Sequence, residues 1–189
     1  ELARTLVGEG FGLDASSGLE LQTALDVGAE VIIFSGPGKT DDELALALDH
    51  SESVILMLDS PAELHRIEPM AAARNKTITC GARLTTVESG IWRKFGTPLE
   101  ALPDLFRQAE GCPHVRLVGV QFHISWNLNP ENQVRFIVRL GEALRTLTPA
   151  HRSKLEFLDI GGGFWPPAGE WIQPAATPEG MLHTALSEP

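Results

Sequence analysis

The apolar run Val115 to Phe122 ends on His123, where an imidazole can exchange a proton near neutral pH or stack flat against a ring. A packed, hydrogen-bonded histidine is the plainer alternative. A second run, Leu155 to Ile160, ends on Gly161-Gly162-Gly163. Consecutive glycines let backbone N–H groups approach an anion such as phosphate with no side chain in the way, and an open turn after a strand is the plainer reading. Arg83, at the end of Thr77 to Leu84, can pair with a carboxylate or a phosphate, or join a surface ion pair. Asp14, Ser16, Ser17 and Glu20 surround the start of a helix, where N-capping accounts for them.

Two glycine motifs imitate nucleotide sites and fail on spacing. Gly38-Lys39-Thr40 follows an apolar strand as the end of a P-loop does, but the position that must hold the first glycine is Ile33. Gly8, Gly10 and Gly12 lie between a helix and the next strand, whereas a dinucleotide fingerprint follows a strand and opens a helix. No His or Cys cluster has zinc spacing, and no Gly-x-Ser-x-Gly elbow is present.

The candidate residues sit on a regular alternation. Helical spacing over Glu1 to Glu9 is followed by a possible short strand at Gly12 to Ala15 and a helix at Gly18 to Val27. Strands are predicted at Val31 to Phe34, Ser53 to Leu58, Thr77 to Thr85, Val115 to His123 and Leu155 to Ile160. Helices are predicted near Asp41 to Leu48, Pro61 to Arg74, Leu99 to Glu110 and Glu131 to Leu147. Most of the strands are apolar on both faces, as expected when helices cover a parallel sheet. A doubly wound open sheet and a (β/α)8 barrel both suit this order; a complete barrel takes about 250 residues, so a barrel here is incomplete. The Pro- and Trp-containing stretch Trp165 to Pro178 reads as an irregular connection, and no internal repeat is evident.

The chain has 189 residues, is 43% hydrophobic and 21% charged, and can bury a core as one domain. Its net charge of -10 and the lack of a long basic block argue against nucleic acid as a partner. No apolar run reaches the roughly 20 residues of a membrane span, and Glu1 to Gly10 is not a signal sequence. Cys80 and Cys112 form no CxxC pattern and read as separate reduced thiols, which fits a cytoplasmic setting.

Taken in order, six segments are similar to the signatures of one family. They are Asp14-Ala15-Ser16-Ser17-Gly18-Leu19-Glu20-Leu21, Phe34-Ser35-Gly36-Pro37-Gly38-Lys39-Thr40, Asp59-Ser60-Pro61-Ala62-Glu63-Leu64, Lys94-Phe95-Gly96, Gly119-Val120-Gln121-Phe122-His123-Ile124 and Leu158-Asp159-Ile160-Gly161-Gly162-Gly163-Phe164. The sequence resembles the fold-type III pyridoxal-phosphate decarboxylases, which act on diaminopimelate, ornithine and arginine. The resemblance implies a (β/α)8 barrel of the alanine racemase and decarboxylase type, here incomplete at both ends, with residues 1 to 189 as a partial pyridoxal-phosphate-binding barrel domain. It also implies a second, β-rich domain outside the chain, an amino-acid substrate and a homodimer.

By position, the resemblance makes His123 the histidine that stacks on the cofactor ring and Gly161, Gly162 and Gly163 the glycines that hold its phosphate. Arg83 and Asp14 match the arginine and aspartate near the cofactor's hydroxyl and lysine end, and Ser17 and Glu20 match neighbouring positions. His123 and Asp14 are the expected catalytic residues; His123, Ser125, Gly161, Gly162, Gly163, Arg83 and Ser17 are the expected cofactor contacts. The family's cofactor-binding lysine belongs to a strand before Glu1, so this chain alone is expected to be inactive. Where the family carries Gly-Ser after the histidine, this sequence has Ser125-Trp126. Glu188-Pro189 is either the start of the family's Glu-Pro-Gly-Arg turn or a coincidence, because it directly follows the helix-like Gly180 to Leu186. A non-catalytic relative that binds or regulates, and a racemase sharing the cofactor, are the alternative functions.

Overall fold

Short apolar runs closed by glycine, proline or a capping hydroxyl become strands, and the periodic segments between them become helices. The computed structural model describes residues 1–86, 95–124 and 130–162. Ser125, Trp126, Gly163, Lys94, the Trp165 to Pro178 stretch and Glu188 lie outside the described residues. The elements run α1 (Leu2–Gly8), β1 (Leu13–Ala15), α2 (Gly18–Asp26), β2 (Ile32–Phe34), α3 (Asp41–Asp49), β3 (Val54–Leu58) and α4 (Pro61–Arg74). They continue with β4 (Ile78–Arg83), α5 (Leu102–Ala109), β5 (Val115–Gln121), α6 (Glu131–Thr146), α7 (Pro149–Arg152) and β6 (Phe157–Asp159).

Hydroxyl side chains start the helices that follow strands. Ser17 accepts from the Glu20 N–H, Thr40 forms a reciprocal capping box with Glu43, and Ser60 accepts from the Glu63 N–H. The short α7 was not anticipated; Thr148 caps it and Pro149 opens it, the same grammar on a single turn.

The six strands among the described residues are all parallel and neighbour one another in chain order, β1 through β6. A doubly wound sheet reverses direction at a switch point; an unbroken order is the barrel arrangement, and this is an incomplete (β/α) barrel. The core lies on the outer face, between sheet and helices, where Ile32, Phe34, Val54, Leu56, Leu58, Ile78, Cys80, Ala82, Val120 and Phe122 pack against Leu21, Leu44, Leu64, Ile67, Leu105 and Phe136.

On the inner face the alternate residues Ile33, Ile55 and Thr79 are half-buried and turn toward the barrel interior. That interior has its own floor. Gly81 and Gly119 are register partners on β4 and β5, and the Phe157 ring lies against both, in the space a Cβ would need. A register shift between Cys80 and Gly81 keeps the inner glycines opposite each other.

Candidate functional site

The carboxyl ends of the strands carry the polar groups. On the inner face, one layer beyond the glycine floor, β4 places Arg83 opposite Gln121 of β5, and Gln121 in turn opposite Asp159 of β6. Asp59 follows β3 directly and reaches Arg83, with its Oδ1 3.6 Å from Nη1. Asp14 is the middle residue of the three-residue strand β1, and its Oδ1 accepts the Ser35 hydroxyl at 2.6 Å. His123 follows β5 and is exposed at the rim.

His123 and the glycine turn are joined. The Gly162 N–H donates to His123 Nδ1 at 3.2 Å, which leaves Nε2 to carry the proton of a neutral ring. Gly161 adopts a left-handed φ of +68°, and a Cβ there would sit 2.6 Å from the Phe122 carbonyl oxygen and 2.9 Å from the imidazole. Only glycine lets this turn close against the histidine. The Gly161 N–H donates to Asp159 Oδ1 at 2.7 Å, so the turn already receives a carboxylate oxygen, the kind of group a phosphate presents.

The electrostatics link Asp14 to the same rim. Partial loss of solvent around the carboxylate holds the Asp14 pKa above its ordinary value. The Ser35 hydrogen bond opposes that shift, the charges of Asp159 and Glu20 add to it, and His123 opposes it. Burial likewise raises Asp59, opposed by Arg83, the Gly96 N–H and Lys39.

Of the expected site residues that are described, Asp14, Arg83, His123, Gly161 and Gly162 lie on or directly after four strands at one end of the sheet. Ser17 has a local task, since its hydroxyl caps α2 while Glu20 returns its carboxylate to the Ser16 N–H at 2.6 Å. Lys39 bears out the rejection of a P-loop: it is buried, and its ammonium donates to the Met57 carbonyl at 2.7 Å and to Glu63. The sequence reading missed Ser35, Asp59, Gln121 and Asp159 as members of this layer. The available signal was position, since each lies at or just past the end of an apolar run.

The site suits pyridoxal phosphate by the chemistry of its donors: a glycine turn that already takes an anionic oxygen, and beside it an exposed flat ring whose tautomer is set. Residues 1–175 match the family described as pyridoxal-dependent decarboxylase, pyridoxal binding domain. The chain is 32% identical over 168 residues to a diaminopimelate decarboxylase of Campylobacter jejuni, covering 80% of this chain and 40% of that protein. It is 29% identical to an ornithine decarboxylase of Panagrellus redivivus, covering 86% of this chain and 38% of that one. Its fold is similar to the crystal structure of a single-substitution mutant of diaminopimelate decarboxylase from Helicobacter pylori complexed with L-lysine, with a TM-score of 0.76 and 25% identity, over 98% of this chain and 50% of that one.

Proposed function

The chain belongs to the pyridoxal-dependent decarboxylase family through its pyridoxal-binding domain, and on that footing we propose that it seats pyridoxal phosphate at the strand ends, as part of an enzyme that decarboxylates an amino acid. It spans less than half the length of either of these relatives. The activity is therefore assigned to the full-length protein that carries it. The single observation that carries this reading is the Gly162 N–H bond to His123 Nδ1, which unites the two groups the cofactor would touch.

When bound, the cofactor supplies an electron sink for the carbanion left as carbon dioxide departs. His123, its Nδ1 held by the Gly162 N–H, would offer its ring face to the cofactor, and Gly161 shapes the turn that makes this bond possible. The glycine turn Gly161, Gly162 and Gly163, together with Ser125, would hold the phosphate. Arg83 and Asp14 bind at the hydroxyl end of the ring, and the raised pKa of Asp14 favours its holding a proton there. Ser17 contributes by fixing the turn after β1 through its cap on α2.

Residues 1–189 belong to one pyridoxal-phosphate-binding barrel domain, of which they are a part, in this reading, and the working unit is a homodimer. Two free, buried cysteines support a cytoplasmic setting. By their names the relatives act on diaminopimelate and ornithine, and a basic or dicarboxylic amino acid is the substrate class proposed for this protein. The test is to incubate the full-length protein, reconstituted with pyridoxal phosphate, with a panel of such amino acids while following carbon dioxide release. Release from at least one, lost after borohydride treatment, is the expected result; a protein that binds the cofactor yet releases nothing from any would make it a non-catalytic relative.

A further inference from the structure

The Lys94-Phe95-Gly96 signature has no role in the site as described so far, and the structure brings its described members, Phe95 and Gly96, together with Asp59 around Arg83. The guanidinium lies over the Phe95 ring at 5.3 Å from its centroid, and Asp59 Oδ1 stands 3.6 Å from Nη1. The same Asp59 oxygen accepts the Gly96 N–H at 3.1 Å. The Asp59 N–H is in turn held by Glu63 Oε2 at 2.9 Å, and Glu63 is paired with buried Lys39.

Phe95 and Gly96 are themselves clamped to the end of β4. Thr97 donates its N–H to the Arg83 carbonyl at 2.7 Å, and the Thr85 N–H donates to the Thr97 carbonyl at 3.0 Å. The Thr85 hydroxyl donates toward the Phe95 and Gly96 carbonyls at 2.8 and 2.9 Å. Gly96 has φ +83°, and a Cβ would lie 2.7 Å from the Leu84 carbonyl carbon, so the return segment comes this close only as glycine.

We propose that Asp59 and Phe95 form a bracket that fixes the Arg83 guanidinium, making Asp59 a positioning residue that acts on the cofactor site through Arg83. A long, rotamer-rich side chain gains a defined direction when a ring supports one face and a carboxylate holds one end. The inference rests on the proposed seating of pyridoxal phosphate near Arg83.

The experiment uses the full-length protein and two readouts. The first is the Arg83 side-chain Nε–Hε signal by nitrogen NMR without cofactor, assigned by its loss in Arg83→Gln. The second is the dissociation constant for pyridoxal phosphate in D59N, F95L, R83Q and the doubles D59N/R83Q and F95L/R83Q. The bracket predicts a dispersed, slowly exchanging Arg83 signal that collapses toward the position of solvated arginines in D59N and F95L. It also predicts about tenfold weaker cofactor binding in D59N and about threefold weaker binding in F95L, with each double no weaker than R83Q alone.

Additive losses in the double variants, or an Arg83 signal unmoved by both substitutions, overturn the proposal. A collapsed signal with unchanged affinity also overturns it, since Arg83 is then held without serving the site. If D59N does not fold, F95L and its double carry the same cycle. A wild-type protein that takes up no pyridoxal phosphate contradicts the underlying reading instead, and the NMR arm then reports on the bracket alone.

Discussion

At the scale of single residues, two features carry the site and each makes a prediction. Gly161→Ala places a Cβ against the Phe122 carbonyl at a left-handed φ, which costs about 1–3 kcal/mol of stability. It should also weaken cofactor binding, because the imidazole and the Gly162 N–H can no longer meet; thermal melting and a pyridoxal phosphate titration check the two effects. Asp14 makes a pH prediction. Its folded pKa is raised, so the native state holds the proton more tightly than the unfolded chain does. Ionisation therefore removes stability as pH rises from the ordinary carboxylate range through the raised value. Asp14→Asn lacks that titration while keeping an acceptor for Ser35. The melting temperature of D14N relative to wild type should rise between about pH 3 and about pH 7; a constant difference would show that Asp14 is not raised. These residues were legible to different degrees. His123, Arg83 and the glycines stand at strand ends that periodicity locates. Ser35, Gln121 and Asp159 become site neighbours only through register across strands, which no spacing within one segment encodes.

At the scale of elements, the link between β2, β3 and α4 is a buried ion pair. Lys39 leaves the β2 turn, crosses to the Met57 carbonyl at the end of β3 and meets Glu63 in the first turn of α4. Burial lowers the Lys39 pKa, and the Glu63 charge opposes that shift. Removing one partner strands the other charge in the core. Lys39→Met should cost about 3–5 kcal/mol by urea unfolding, and K39M/E63L should recover most of it. Recovery is expected to be incomplete, because Glu63 also accepts the Asp59 N–H. The sequence showed Gly38-Lys39-Thr40 as a failed P-loop but not what the lysine does instead, since its partners are 18 and 24 residues away. Element identity, by contrast, was largely legible: the predicted strands and helices recur with ends shifted by a few residues. Among the described elements only α7, too short for periodicity to register, escaped.

At the scale of the molecule, unbroken strand order separates a barrel from the doubly wound sheet that the alternation alone allowed. The two alternatives share the same β/α grammar, so only pairing between strands decides. The inner face is apolar at its floor and polar at its carboxyl rim, with Met57, Gly81, Gly119 and Phe157 beneath Asp59, Arg83, Gln121 and Asp159. This layering lets one end of the sheet hold a polar ligand while the outer face holds the fold. The match to the pyridoxal-binding domain extends over the same strands. The most direct measurement is a titration of pyridoxal phosphate into the full-length protein and its His123→Ala variant, followed by visible absorbance. The account predicts a saturable visible band in the wild type that borohydride abolishes, and binding about tenfold weaker in the variant once the stacking ring is lost. A colourless wild-type protein, or equal affinity in the two, would contradict it.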